Sequence, residues 1–95
     1  MKAYTVSEVN DYFPSVLVFA ETANQAKSIA SGREELDGID YIHLSARRSK
    51  YADGHENDSD RDLMILNIEN GWYYEIGGMR VDEDNLEDVL ERGLV

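Results

Sequence analysis

Asp58, Asp60 and Asp62 alternate within "DSDRD", and Glu69 stands eleven residues after the first of them. Carboxylates at this spacing are the oxygen donors of a calcium loop, whose twelfth position supplies a bidentate glutamate. The sixth position argues against that chemistry. A calcium loop needs glycine there for its sharp turn, and this chain has Leu63, the start of an apolar run "LMILNI". The only histidines, His43 and His55, lack the helical pair spacing of a zinc protease, and there is no cysteine to supply thiolates. The sequence therefore predicts no metal site and no cofactor. A divalent-metal module built on the aspartate loop stays as a minor alternative.

Catalytic signatures are equally absent. No strained serine elbow accompanies the histidines. Gly77-Gly78 is not a phosphate loop, because no Lys-Ser/Thr follows it and Asp82, Glu83 and Asp84 occupy the segment beyond. A chain of 95 residues also has little room for a deep pocket. The expectation is a protein that is not an enzyme, with no catalytic residue to name.

What remains is charge. Twenty acids against nine bases leave a formal charge of −11 on 10.8 kDa. A field of this sign repels nucleic acid and anionic membrane and steers toward basic partners. The acids are also concentrated. Asp53 to Asp62 holds five acids and Arg61, a net of −4, and Asp82 to Arg92 holds six acids and Arg92, a net of −5. Glu83, Glu87 and Glu91 recur every four residues, and Asp84 with Asp88 repeats that spacing one residue over. On a helix such neighbours stand about 5–6 Å apart and repel by about 0.2–0.5 kcal/mol per pair. Only Asp88 and Arg92 make a favourable pair at that spacing. A solvated face is the ordinary use of such residues. The alternative is a row of anions standing in for nucleic-acid phosphates, which recur every ~3.4 Å along one strand. The basic cluster "ARRSKY", with Arg47, Arg48 and Lys50, precedes the first acidic segment and reads as its internal ion-pair partner. Trp72, Tyr73 and Tyr74 alternate along a strand pattern, so at least one leaves the core. Trp72 or Tyr74 is then a candidate anchor for a partner.

The elements that would position these residues follow from periodicity. "KAYTVSEV" alternates as a half-buried strand, Asn10 to Ser15 is turn chemistry, and "VLVFA" (Val16 to Ala20) is a central strand apolar on both faces. Thr22 and Gln25 form a capping box for a helix whose inner stripe is Ala26, Ile29 and Ala30, with Gly32 as a left-handed stop. Asp40 to Arg48 alternates, with Ile42, Leu44 and Ala46 on one face. Leu63 to Glu69 and Trp72 to Ile76 read as the arms of a hairpin turning at Asn70-Gly71, and Gly77-Gly78 breaks the second arm before a short "MRV" extension. Asp82 or Asp84 is placed to cap a last helix with inner stripe Leu86, Val89 and Leu90, ended by Gly93. The expected architecture is α+β: one small domain over residues 1–95, an antiparallel sheet of four to five strands with two helices, in the order ββαβββα. With neither an apolar leader nor a membrane-length run, the expected place is the cytoplasm.

The opening "MKAYTV…FAETANQAKSIAS", Met1 to Ser31, resembles the start of several families of small phage- or prophage-encoded proteins, an anti-CRISPR one with an "AxxxQAK" helix among them, in which a strand pair leads into a helix. The resemblance covers about the first third of the chain. It implies a fold beginning and a phage context, and carries over no site residue. The expected function is a non-enzymatic inhibitor that occupies a basic, nucleic-acid-binding groove of a host defence protein, a CRISPR effector among the candidates, without touching nucleic acid or membrane itself. Asp58, Asp60, Asp62, Glu83, Asp84, Glu87, Asp88 and Glu91 would supply charge, with Trp72 or Tyr74 as anchors. The alternative is an accessory phage protein that self-associates, for example as a homodimer, through an exposed face of its sheet.

Overall fold

The computed structural model describes residues 1–94, with the side chains of residues 11–14 left aside. The fold is α+β. Its elements are β1 (Lys2–Glu8), β2 (Asp11–Ala20), α1 (Ala23–Ala30), β3 (Leu44–Arg48), α2 (Asp60–Glu69), β4 (Tyr74–Ile76), β5 (Met79–Val81) and α3 (Leu86–Glu91), with short 3-10 turns between α1 and β3 and after β3. Where length alone leads to one core, the chain forms two compact units, residues 1–56 and 57–95, each with its own cluster of buried side chains. The boundary falls inside the polar segment Asp53 to Asp62, which has no large apolar side chain to continue a core.

In the first unit three antiparallel strands are ordered β2-β1-β3. Tyr4 lies between Val18 and Arg48, and Val6 between Val16 and Ala46. The alternation of the sequence thus puts Tyr4, Val6, Val16 and Val18 on one face, where Ala26 and Ala30 of α1 and Leu36 complete the cluster. Alanine at both contact positions lets the helix backbone approach the sheet. Thr22 caps α1 as expected: its hydroxyl accepts from the Gln25 amide at 3.2 Å, while the Gln25 side chain accepts from the Glu21 amide at 3.1 Å.

Four details of this unit correct the sequence reading. The turn is Val9-Asn10 and β2 already runs from Asp11, so Val16 to Ala20 is the end of an edge strand and not a central one. Pro14 lies within it, as an edge strand tolerates where a central one would not. Ile29 is 47% exposed, because Ala26 and Ala30, with Ala23, make the helix's contact with the cluster. Gly32 is not left-handed; Ser31 ends the helix with ordinary helical dihedrals. Tyr41 to His43 is a 3-10 turn instead of strand, which leaves Ile42 80% exposed while Leu44 and Ala46 keep their inward positions.

The second unit departs further. Leu63 to Glu69 is helix and not a hairpin arm, so the described residues form three α-helices and two separate sheets, one of three strands and one of two. The observed order is ββαβαββα. Ser59 decides this locally: its hydroxyl accepts from the Asp62 amide at 3.1 Å, and Asp60 and Asp62 place negative charge in the first helical turn. Asn70-Gly71 terminates the helix instead of turning a hairpin. Gly71 has φ +100°, its amide donates to the Ile68 carbonyl at 3.2 Å, and the Trp72 amide donates to the Asn67 carbonyl at 3.0 Å. The true hairpin turn is Gly77-Gly78. Both residues take positive φ, 59° and 80°, the geometry that joins β4 to β5 in two residues, with Tyr74 opposite Val81 and Ile76 opposite Met79. Ile68, Val81, Leu86 and Val89 form the buried cluster, with Met64, Ile65, Tyr74, Ile76 and Leu90 packed against it. The inner stripe expected for the last helix is thus in place.

Candidate functional site: an acidic unit

All ten candidate partner-binding residues fall in the second unit. That unit holds eleven acids and three bases, a net of −8, against nine acids and six bases, a net of −3, in residues 1–56. Asp60 and Asp62 are exposed in the first turn of α2, where the helix dipole supports them. Asp58 precedes the Ser59 cap and is only half-buried.

The C-terminal acids are arranged differently from a continuous carboxylate column. Helix α3 begins at Leu86, so Glu83 and Asp84 lie in the preceding turn and not on the helix. Neither Asp82 nor Asp84 caps it. Asp82 accepts the Asp84 amide at 3.0 Å, and the Asn85 side chain accepts from the Asp82 amide and donates to the Arg80 carbonyl, both at 2.8 Å. Asx chemistry therefore closes the turn that delivers the chain to α3. Glu87, Asp88 and Glu91 are the exposed acids on the helix itself, and Asp88 pairs with Arg92 at 3.3 Å as its spacing predicts. Asp88 is thus partly neutralised, while Glu87 and Glu91 remain one turn apart.

The aromatics are brought together. The rings of Trp72 and Tyr74 stack at 6.2 Å with an interplanar angle of 20°. Tyr74 packs against the cluster, its hydroxyl accepts from the Asn67 side chain at 3.0 Å, and burial pushes its phenol above the ordinary value while that hydrogen bond opposes the shift. Its role is largely internal. Trp72 is half-buried, and Arg80 covers the Tyr73 ring at 4.3 Å from its centroid.

The first acidic segment is split between two roles that its sequence does not distinguish. Asp53 accepts the Ala3 amide at 2.8 Å and pairs with Arg48, whose guanidinium also stands 5.6 Å from the Tyr4 ring centroid. Arg48 is therefore the internal ion-pair partner expected of "ARRSKY". Glu56 binds the Met1 amine at 2.7 Å, and the Gly54 amide donates to the Met1 carbonyl at 3.0 Å. Half of the segment thus clasps the start of β1, and the other half opens α2. Among the described residues no group of three His, Asp or Glu side chains is gathered to hold a metal ion. No helix among them is long and apolar enough to cross a membrane.

Sequence reasoning overlooked a second surface. An open recess of about 580 Å³ lies in the first unit, lined by Phe19, Ala20, Met1, Ile29 and Tyr41 among others. Its signal is weak in sequence, because Ile29 sits at the spacing of an inner helix residue. No protein-family model matches this chain, and neither does any curated protein or solved structure.

Proposed function

We propose that the chain is a non-enzymatic binding protein of the host cytoplasm whose second unit docks on a Lys/Arg-rich, nucleic-acid-binding surface of a host defence protein. The observation that carries this reading is the net charge of −8 in a unit whose α2 and α3 expose Asp60, Asp62, Glu87, Asp88 and Glu91. Solubility needs charge but not its concentration in one unit, whereas electrostatic steering of a basic partner gains from it. Trp72 supplies a half-buried aromatic surface in the same unit, the kind of side chain that anchors interfaces. The phage context, and with it a CRISPR effector as the target class, rests on the resemblance of the opening residues.

The test is capture from a bacterial host lysate at ~50 and ~200 mM salt, since contacts to a nucleic-acid surface weaken steeply over that range. The reading expects a nucleic-acid-binding protein held at low salt, released at high salt, displaced by DNA or RNA, and lost with a Glu87→Gln, Asp88→Asn, Glu91→Gln triple variant. A target retained equally at both salt concentrations and indifferent to nucleic acid would sink it.

A further inference from the structure

Asn70-Gly71 is the one place in the chain where glycine follows asparagine. Both residues are exposed, at the end of α2. Asparagine is one of the thermally labile side chains, because its amide carbon is an electrophile within reach of the next backbone nitrogen. Glycine has no Cβ to shield that nitrogen or to restrict the rotation that brings the two together. The folded turn keeps them from reacting. The Asn70 side-chain nitrogen donates to the Leu66 carbonyl at 2.8 Å, which holds the amide on the preceding turn. The Gly71 amide donates to the Ile68 carbonyl at 3.2 Å, with φ fixed at +100°. Attack requires both hydrogen bonds to break and the Gly71 nitrogen to give up its proton. An exposed helix end opens more readily than a packed core element, so the turn itself sets the rate.

We propose that Asn70 is a deamidation site gated by the stop of α2, and that its conversion removes that stop. In the opened turn the Gly71 nitrogen bonds to the side-chain carbonyl carbon of Asn70. The bond from that carbon to Nδ2 breaks, and Nδ2 leaves as ammonia with the proton that Gly71 gives up. Water then opens the cyclic imide. Addition at the side-chain carbonyl leaves an aspartate; addition at the main-chain carbonyl leaves an isoaspartate, whose backbone is one methylene longer. Neither product rebuilds the turn. Each has a carboxylate and no donor for the Leu66 carbonyl, and each places negative charge at a helix C-terminus, where the dipole opposes it. The isoaspartate also moves the Gly71 and Trp72 amides out of register with the Ile68 and Asn67 carbonyls that accept from them. The net charge of the second unit goes from −8 to −9. Opening permits the change and the change favours opening, so the site converts in one direction.

Peptide mapping by mass spectrometry over several weeks, in native buffer and in ~6 M guanidinium chloride, tests this. Each event replaces NH2 by OH in the peptide that carries position 70, and an isoaspartyl methyltransferase labels the isoaspartate. In denaturant, position 70 should convert before the five other asparagines of the chain. In native buffer it should convert more slowly by about tenfold or more, because the opened fraction of the turn limits the rate. Asn70→Gln sets the amide one methylene further along the side chain and should stay unconverted over the same period. Asn70→Asp carries the product's charge on an unaltered backbone and should lower the denaturation midpoint read by Trp72 fluorescence. Equal rates in the two solutions would show that the turn gives no protection. An unconverted position 70 in denaturant would remove the site, and an unchanged midpoint for Asn70→Asp would remove its effect on α2. Any one of these results overturns the proposal.

Discussion

Glu56 and the Met1 amine hold each other charged across 55 positions of sequence. The amine's hydrogen bond lowers the Glu56 carboxyl below its ordinary 4.5, and the same bond, acting from Glu56, raises the amine above its ordinary 8.0. The signs differ on the two limbs. The stabilisation from Glu56 is present above 4.5 and is lost as pH falls through its lowered value; that from the amine is present below 8.0 and is lost as pH rises through its raised value. Both groups reach solvent, so the effect is small and screened by salt. The expected outcome for Glu56→Gln is a melting temperature that falls short of the parent chiefly between those two limits and converges with it outside them, measured by thermal melts across pH. The charges of Asp53 and Glu56 were legible in the sequence. Their partners were not, because Ala3 and Met1 lie some fifty positions away and only the β1 pairing carries the start of the chain to them.

Helix α2 is where local signals competed. Its apolar residues fall on both sides of a strand pattern as readily as on a helix face, and Asn70-Gly71 is a strong hairpin dipeptide. The decisive signal was present but easy to overlook: Ser59 followed three residues later by Asp62, with Asp60 and Asp62 in the first turn. Met64, Ile65 and Ile68 then share a face toward the cluster, a spacing that only a helix provides. Gly71 reads equally well as a turn residue or a helix stop, since both require positive φ. Ser59→Ala removes the cap and should destabilise the second unit by about 1 kcal/mol, with Ser59→Asp restoring most of it. Chemical denaturation followed by Trp72 fluorescence reports on this unit, since the only tryptophan lies in it. An unchanged midpoint for Ser59→Ala would show that packing alone holds α2.

Eleven excess negative charges act on every part of the molecule together. The amine of Met1 and the guanidinium groups of Arg48, Arg80 and Arg92 form ion pairs, but twenty acids against nine bases leave an excess of negative charge that pairing cannot neutralise. Compactness therefore works against self-repulsion. Added NaCl should raise the melting temperature, and relief of about 1 kcal/mol corresponds to a rise of about 4–8 °C for a chain of this size. A melting temperature that falls with salt would show that ion pairing outweighs the repulsion. The composition alone determined the sign of the charge, the absence of thiolate chemistry and the acidic character of both segments, because these are sums over residues that folding does not change. Periodicity and caps determined α1, β1 and the inner stripe of α3, because each of those patterns is satisfied by neighbours a few positions away. Only the tertiary structure decided that half of the first acidic segment clasps β1 while the other half opens a helix, that Val16 to Ala20 is an edge, and that the buried side chains form two clusters. Those outcomes depend on which distant backbone groups and side chains find one another, and no local pattern encodes that.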